Sequence, residues 1–384
     1  MRFENREYQA RVERLRAELR ARKLDVLLVD DCETTAYYFN YDVSVSFYRA
    51  GFIPVEREPF FVLRSLDVAP LAERTWIKDI VGYADWETPA TVIAEQFRRR
   101  GLDRARIGVD LTSHGLTVQT FEALKRELPQ AEFVDVDALP WKMRKLKSKA
   151  ELENLRSAAA VTDATMQEIV KAVKPGFTER EAARIALDGY LRHGGDPGPL
   201  GVITVGRGWN FLHGNLHDTP LQQGDVLHVE LLPRVEGYSS RLMRNVVLGD
   251  IPPELEVQSR KMIELQDMQI AAMKPGAIAK DVDRIMRQGA IDAGLRKDYT
   301  NNTGYTLGYY SSRLMRAGDF TWVFLPNSEW VLEEGMVFHM CTSARGIAIS
   351  ETVVVGLNGA ERLSKLERRL FSSNEGVTPA KTAV

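Results

Sequence analysis

A chain of 384 residues, 44% hydrophobic and 27% charged, is longer than one hydrophobic core usually supports, so its composition predicts two packed domains. Its 51 basic and 53 acidic residues are interspersed, which argues against a basic face for nucleic acid or an anionic membrane and favours a small-molecule partner. Two cysteines and a charged N-terminal segment predict a cytoplasmic protein without a secretory or membrane-spanning segment.

The first third of the chain alternates helical and strand patterns, which predicts a small α/β domain. A charged amphipathic helix opens the sequence, and the apolar run at 25–30 (DVLLVD) predicts a buried strand. The elements predicted next are a helix at 94–100, a strand at 107–110, a helix at 118–127 and a strand at 133–136. Leu139-Pro140-Trp141 and the basic stretch after it interrupt this pattern. We therefore predict an N-terminal domain at residues 1–142.

The remainder of the chain contains an internal repeat. A long amphipathic helix is predicted at 150–173. The motif Lys-Pro-Gly then occurs twice, at 174–176 and at 274–276, and each copy precedes a predicted helix. Two segments then match across the halves: 221–230 (LQQGDVLHVE) with 332–341 (LEEGMVFHMC), and 245–249 (NVVLG) with 352–356 (TVVVG). The repeat predicts two α/β halves about a pseudo-twofold axis, with a pocket between them. Residues 374–384 are polar and aperiodic and are predicted to be a flexible tail.

Equivalent residues of the two halves are expected to face each other, as in the pair Glu230 and Cys341. Glu230 is a carboxylate in an otherwise apolar predicted strand at 226–232, and a buried carboxylate needs a cationic or hydrogen-bonding partner. Two kinds of partner stay open. One is a cationic group of a substrate, and the other is an internal ion pair with Arg241 or Arg244.

The duplication, the segment 143–152 (MRKLKSKAEL) at the start of the long helix and the small α/β domain in front of it resemble one known superfamily. It is the pita-bread superfamily that contains prolidase, aminopeptidase P, creatinase and ectoine hydrolase. The resemblance covers nearly the whole chain, and the segments 213–249 and 304–356 align in order with few gaps. It implies an α/β (α+β) fold, in which a small N-terminal α/β domain precedes a pseudo-twofold pita-bread catalytic domain at 143–373.

The resemblance also implies where a metal site would lie. Peptidases of this superfamily hold two divalent cations with two aspartates, one histidine and two glutamates, because hard cations that activate water need anionic oxygens. In this sequence those positions carry Glu230, Arg241, Tyr305, Cys341 and Ser350. A guanidinium cannot be a metal ligand, and Arg241 would place a positive charge where a cation should bind. We therefore predict no metal and no cofactor, and a polar site in which Arg241, Tyr305 and Ser350 contact substrate.

The same resemblance implies two catalytic residues. His213, within the motif Asn210-Phe-Leu-His213-Gly-Asn, matches the active-site histidine that moves a proton in metal-free creatinase. Glu230 matches a glutamate that ectoine hydrolase keeps. For Cys341 two interpretations stay open: a nucleophile activated by a neighbouring cation, or a small buried hydrophobic residue.

Arginine is the expected ligand of a substrate carboxylate, because its planar fork of donors matches the two oxygens. By alignment with creatinase, Arg316 is the predicted carboxylate-binding residue and Arg313 is the competing choice. The segment 41–51 resembles the loop that creatinase lends to the active site of its partner subunit, which makes Phe47 and Arg49 candidates for binding substrate in trans. The aromatic residues of this segment fit a domain core equally well.

These residues predict a metal-independent hydrolase that cleaves a non-peptide C–N bond of a small polar, carboxylate-bearing substrate, such as an amidine, a cyclic amidine or an amide. Creatine itself is disfavoured, because Met243 and Cys341 stand where creatinase has glutamates. The resemblance implies a homodimer whose N-terminal domain contributes to the partner's active site. Two alternatives stay open: a lyase or other proton-transfer enzyme, and a catalytically inactive module that binds peptides or proteins.

Overall fold

The computed structural model describes residues 2–205, 213–311 and 319–376. These residues fall into two compact units. The described part of the first unit runs to Arg144 and includes Ser311, and the second unit takes in Lys145–Tyr310 and the described chain from Asp319 onward. The division therefore lies close to the predicted boundary at 142. None of the helices in these ranges is long and apolar enough to cross a membrane.

The first unit is a mixed six-stranded sheet with helices. Its helices are α1 (Asn5–Ala21), α2 (Cys32–Phe39), α3 (Val68–Arg74), α4 (Pro89–Arg99), α5 (Val118–Glu127) and α6 (Leu139–Lys142). Its strands are β1 (Val26–Val29), β2 (Ala50–Pro54), β3 (Phe60–Arg64), β4 (Asp79–Tyr83), β5 (Arg106–Val109) and β6 (Glu132–Asp135), in the order β4-β3-β2-β1-β5-β6. Alternate residues of β1 enter different core clusters, Leu27 one and Leu28 the other, so the sheet is buried on both faces.

All the elements predicted in this unit are present, although α4 begins earlier than predicted, with Pro89 in its first turn. The helices α2, α3 and α6 and the strands β2, β3 and β4 were not predicted. Every residue of α2 is buried, so its sequence lacks the polar face that marks an amphipathic helix. Strands β2 and β3 are short apolar runs buried on both sides, which do not alternate and so carry no period of two.

The second unit contains the predicted repeat. Its helices are α7 (Lys149–Ala172), α8 (Glu179–Arg192), α9 (Pro253–Ala271) and α10 (Ala279–Asp292). Its strands are β7 (Ile203–Val205), β8 (Val226–Leu231), β9 (Arg234–Val235), β10 (Tyr238–Ser239), β11 (Leu242–Val247), β12 (Gly304–Thr306), β13 (Asp319–Phe324), β14 (Val337–Ala344), β15 (Ile347–Gly356), β16 (Gly359–Arg362) and β17 (Phe371–Ser372). One sheet has the order β17-β11-β8-β7 and the other β13-β12-β14-β15-β16, while β9 and β10 form a hairpin.

The two Lys-Pro-Gly motifs adopt the same backbone conformation. Gly176 has φ 89° and Gly276 has φ 88°, in the left-handed region that favours glycine. The Gly176 amide donates to the Leu221 carbonyl at 2.8 Å, and the Gly276 amide donates to the Leu332 carbonyl at 2.9 Å. The same turn therefore joins a helix pair to a strand entry in each half, which confirms the duplication.

Strands β11 and β15 run antiparallel to each other and join the two halves. In the bonds between them, backbone amides donate to side-chain oxygens instead of to carbonyl groups. The bonds that join them are Arg241 N to Thr352 Oγ1 (2.8 Å), Met243 N to Ser350 Oγ (2.8 Å) and Ala348 N to Asn245 Oδ1 (2.9 Å). The buried pair of Arg244 Nη2 and Glu351 Oε1, 2.7 Å apart and fully enclosed, joins the same strands. The halves are thus fixed by polar contacts beneath the candidate site.

The C-terminal segment differs from the prediction for 374–384. Residues Ser373–Gly376 form a 3-10 helix directly after β17. The Gly249 amide donates to Ser373 Oγ at 2.9 Å, and Arg369 Nη1 donates to Glu375 Oε1 at 2.6 Å. These contacts order polar residues that have no periodic pattern of their own. Residues 377–384 of the predicted tail lie outside the described residues.

Candidate active site

The candidate site lies in the second unit, where β8 and β11 of one half face β12, β14 and β15 of the other. Strand register sets its members: Met243 pairs with Glu230, and Ser350 pairs with Cys341 across the neighbouring strands. Directly opposed residues of an antiparallel pair point to the same face, so Met243 lies beside Glu230 and Ser350 beside Cys341. Four of the predicted site residues are close enough to act on one another electrostatically: Arg241, Glu230, Tyr305 and Cys341.

An ion pair occupies the centre of this site. Arg241 Nε donates to Glu230 Oε1 at 2.6 Å, and the two side chains are 12% and 1% exposed. Burial alone would raise the pKa of Glu230, but the attraction of Arg241 and its hydrogen bond outweigh burial, so the pKa is lowered. Glu230 is therefore ionised at neutral pH. Of the two partners left open by the sequence, the internal ion pair with Arg241 is the one present, while Arg244 pairs with Glu351.

The backbone of Arg241 is held on both sides by one hydroxyl group. Thr352 Oγ1 accepts from the Arg241 amide at 2.8 Å and donates to the Arg241 carbonyl at 2.9 Å. The guanidinium carbon lies 5.6 Å from the ring centroid of Tyr305. Burial raises the pKa of the Tyr305 phenol, and the nearby charge of Arg241 and a hydrogen bond from it counteract this only in part. Tyr305 is therefore a neutral phenol that accepts a hydrogen bond from a fixed cation.

The phenol of Tyr305 continues the hydrogen-bonded chain to His339. The Tyr305 hydroxyl oxygen and His339 Nδ1 are 2.9 Å apart. This contact joins the imidazole to the phenol in either tautomer of His339, with Nδ1 as acceptor or as donor. Burial lowers the pKa of His339 to about 3 and that of His228 to about 4. Both imidazoles are neutral at pH 7, so of the site residues that the structure describes, Glu230 carries the negative charge and Arg241 the positive charge.

Cys341 and Ser350 stand at two positions where the resemblance implies glutamates in the peptidases. Burial raises the pKa of the Cys341 thiol to about 12, although the charge of Arg241 lowers it in part. Its Sγ lies 4.0 Å from Asn302 Oδ1. At neutral pH Cys341 is a thiol, so the resting site does not supply the thiolate that a nucleophile requires. Ser350 Oγ accepts from the Met243 amide and serves to join the halves.

These donors do not fit the two-cation site that the resemblance implies. Glu230 is one carboxylate already neutralised by Arg241, and the remaining positions offer a neutral phenol, a thiol and a hydroxyl group. Two hard divalent cations need several anionic oxygens. Within ranges 2–205, 213–311 and 319–376, no group of three or more His, Cys, Asp or Glu side chains could hold a metal ion.

His213 lies in an exposed turn directly after residues 206–212, which are outside the described residues. Its charge is among the causes that lower the pKa of His228, which shares strand β8 with Glu230. His213 therefore interacts electrostatically with the strand that carries the buried carboxylate. The predicted carboxylate ligand Arg316 and its competitor Arg313 both lie within 312–318, outside the described residues.

Phe47 and Arg49 belong to the first unit. Phe47 is 38% exposed, and the Arg64 guanidinium carbon lies 4.5 Å from its ring centroid. Arg49 is only 5% exposed, and its Nη2 donates to Cys32 Sγ at 2.8 Å. Arg49 is thus enclosed in its own unit, as the domain-core interpretation expects, whereas Phe47 is accessible. Binding of substrate in trans by these residues stays a prediction.

Two polar residues that organise the site were not singled out from the sequence. Thr352 was seen only as a member of a repeated strand, and its hold on Arg241 depends on pairing between strands far apart in the chain. Glu179 lies in a motif typical of a helix start, Thr178-Glu-Arg-Glu181, where an acidic residue is ordinary. Its burial to 2% exposure was not foreseeable from that pattern.

Comparisons with known proteins follow the same two-part organisation. Residues 153–356 match the family model of metallopeptidase family M24, and residues 11–146 match that of the creatinase/prolidase N-terminal domain. An ectoine hydrolase of Halomonas elongata is 25% identical, with 96% of this chain and 98% of the relative covered. A Xaa-Pro dipeptidase of Lactobacillus delbrueckii subsp. lactis is 28% identical, with 85% of this chain and 88% of the relative covered.

Solved structures show the same fold. Dipeptidase PepE from Mycobacterium ulcerans superposes with a TM-score of 0.82 at 24% identity, covering 97% of this chain and 100% of the other. A Xaa-Pro dipeptidase from Bacillus anthracis gives a TM-score of 0.82 at 20% identity, covering 95% and 99%. Since the M24 model spans more than half of the chain, the protein belongs to metallopeptidase family M24 and carries a creatinase/prolidase-type N-terminal domain.

Proposed function

We propose that this protein is a metal-independent hydrolase that cleaves a non-peptide C–N bond of a small polar, carboxylate-bearing substrate. The observation that carries the proposal is the ion pair between Arg241 and Glu230, at positions where peptidases of the family need anionic metal ligands. The similarity to an ectoine hydrolase over 96% of the chain supports the same reaction class. An amidine, a cyclic amidine or an amide is the expected substrate.

The charge balance of the site supports a substrate that carries both signs of charge. Glu230 contributes one negative charge and Arg241 one positive charge, while Tyr305, His339 and Cys341 are neutral. A ligand with one net charge would leave an uncompensated charge in a buried site, which is costly. A ligand with a cationic nitrogen and a carboxylate can instead satisfy both members of the pair, with the carboxylate bound by an arginine fork.

The proposed reaction uses His213 for proton transfer. A water molecule adds to the carbon of the C–N bond, its proton passes to neutral His213, and His213 delivers that proton to the departing nitrogen as the C–N bond breaks. Glu230 binds the substrate nitrogen and orients the water, since its lowered pKa makes it a weak base and a stable anion. Arg241, assisted by Arg316, binds the carboxylate, since Arg49 is enclosed against Cys32. A cytoplasmic homodimer is part of the proposal.

Cleavage of Xaa-Pro dipeptides is the second candidate, because relatives and structural neighbours carry that activity in their names. That reaction in this family would call for divalent cations at positions that here hold Arg241, Tyr305, Cys341 and Ser350. The two candidates therefore differ in whether turnover depends on added metal.

The test is an NMR time course of chelator-treated protein with ectoine, creatine and a Xaa-Pro dipeptide in one tube. We expect loss of ectoine without metal and little loss of creatine, because Met243 and Cys341 are neutral. His213→Ala should abolish turnover, whereas His114→Ala in the first unit is the matched control. Dipeptide cleavage that requires added Mn²⁺ would contradict the proposal. Products formed in oxygen-18 water separate hydrolysis, which incorporates the label, from elimination, which does not.

A further inference from the structure

One buried carboxylate holds both ends of the segment that carries His213. Glu179 Oε1 accepts from the Val205 amide at 2.7 Å and from Thr204 Oγ1 at 3.4 Å. Glu179 Oε2 accepts from the His217 amide at 2.7 Å and lies 3.1 Å from His217 Nδ1. The two oxygens of one side chain therefore bind the last residue of β7 and a residue that follows His213.

The carboxylate is well satisfied where it lies. Glu179 is 2% exposed, and a buried carboxylate without donors would be costly. Its donors include two main-chain amides, which fix the positions of the backbone and not only of flexible side chains. The ends of the segment between Val205 and His217 are thereby set against the first turn of α8.

The internal repeat has no carboxylate at the equivalent position of its second half. The residue equivalent to Glu179 is Ala279, which begins α10 and is fully buried. In the second half the contact at this position is a main-chain one, in which the Ala279 amide donates to the Trp330 carbonyl at 3.0 Å. The halves otherwise share the Lys-Pro-Gly turn and a helix of 14 residues. The buried carboxylate occurs in the half that contains His213.

We propose that Glu179 is a positioning residue that sets the location of His213 by clasping the two ends of its segment. The inference rests on the proposed role of His213 in proton transfer. Proton transfer requires the imidazole within hydrogen-bond reach of the reacting atoms, and a misplacement of about 1 Å costs about 100-fold in rate. Glu179 itself touches no reacting atom.

Glu179→Gln tests the clasp with little change in side-chain size. One of its two terminal atoms becomes an NH₂ group, which cannot accept from an amide, so one end of the segment loses its partner. Glu181→Gln is the matched control, because Glu181 lies on the same helix turn but accepts from Thr178 in the capping box and, among the described residues, from neither end of this segment. Both variants remove one negative charge from the start of α8, and only the first disturbs the segment.

Two measurements separate the clasp from the chemistry. Hydrogen exchange at the amides of Val205 and His217 should become at least about 10-fold faster in Glu179→Gln and stay unchanged in Glu181→Gln. With the substrate identified above, kcat should fall about 10- to 100-fold in Glu179→Gln while KM stays within about twofold, because substrate contacts are intact. A purely structural role would lower the unfolding temperature of Glu179→Gln and leave its kcat unchanged.

Unchanged exchange in Glu179→Gln would overturn the clasp. Faster exchange with unchanged kcat would overturn the positioning role. Failure of the proposed function looks different, since His213→Ala would then retain turnover while the exchange result for Glu179→Gln stands. Glu179→Ala removes both acceptor oxygens and should accelerate hydrogen exchange further. If Glu179→Ala does not fold, the exchange rates of Glu179→Gln alone test the clasp.

Discussion

Removal of Arg241 is predicted to leave an uncompensated charge inside the second unit. Glu230 is 1% exposed, and Arg241 Nε is bonded to it at 2.6 Å. Arg241→Gln keeps a polar side chain of moderate length but no cation. Truncating one member of a buried ion pair costs about 3–5 kcal/mol, because the other member loses its compensation without regaining water. For a unit of this size, each kcal/mol lowers the unfolding temperature by about 2–4 °C.

The pH dependence of this cost has a definite sign. In the wild type the pKa of Glu230 is lowered, so the pair contributes stability above the ordinary pKa of 4.5 that is lost as the pH falls through the folded value. In Arg241→Gln, burial without the cation raises the pKa of Glu230 above its unfolded value. The contribution of Glu230 to the stability of the variant therefore rises on acidification from neutral pH, and the deficit of the variant relative to the wild type should shrink between pH 7 and pH 5.

Differential scanning calorimetry at pH 7 and pH 5 measures both effects. Glu230→Gln combined with Arg241→Gln removes both charges and should recover much of the loss, because replacement of a whole buried pair is often nearly neutral. The exposed pair of Arg180 and Asp218, with side chains 61% and 69% exposed, supplies a control: Arg180→Gln should leave the unfolding temperature nearly unchanged, because solvent screens an exposed pair. A deficit for Arg241→Gln as small as that of Arg180→Gln, and independent of pH, would refute the reasoning.

Three further predictions concern other buried groups. Cys341→Ser should keep kcat within about threefold, because burial raises the pKa of the thiol to about 12; a loss beyond 100-fold in a steady-state assay would make Cys341 the nucleophile. His339→Gln should reduce the loss of stability on acidification by about 1.4 kcal/mol per pH unit between pH 6 and pH 4. The reason is that burial lowers the pKa of His339 to about 3, so in this range only the unfolded imidazole gains a proton. Equal slopes of stability against pH for the variant and the wild type would contradict this. Glu351→Gln should cost about 3–5 kcal/mol in denaturant unfolding, because Arg244 is fully enclosed against it, and a cost near zero would show that carbonyl groups suffice for Arg244.

Much of the fold was predictable because the duplication leaves a local signature. Each half repeats a Lys-Pro-Gly turn, a helix and a strand entry, and the glycines share one backbone conformation. Helix α7 has a capping box of Ser148 and Glu151 at its start, which a sequence pattern can report. By contrast, α2 and the strands β2 and β3 are buried on all sides, so no polar face marked them.

The candidate site was predictable only in its membership. The aligned positions identified Glu230 and Arg241, but two ion pairs remained possible from the sequence, with Arg241 or with Arg244. The pairing was decided by strand alternation and by the contacts of β11 with β15, which join residues more than 100 positions apart. The hold of Thr352 on Arg241 and the clasp of Glu179 depend on burial and on long-range contacts, neither of which has a local pattern.

The central claim is that a protein cation stands where relatives would need metal ions, and a calorimetric titration with Mn²⁺ tests it most directly. Chelator-treated wild-type protein and Glu230→Gln should give the same weak, non-saturable heats, because Glu230 is already paired with Arg241. Stoichiometric binding by the wild type that disappears in Glu230→Gln would contradict the claim and favour a metal-dependent peptidase.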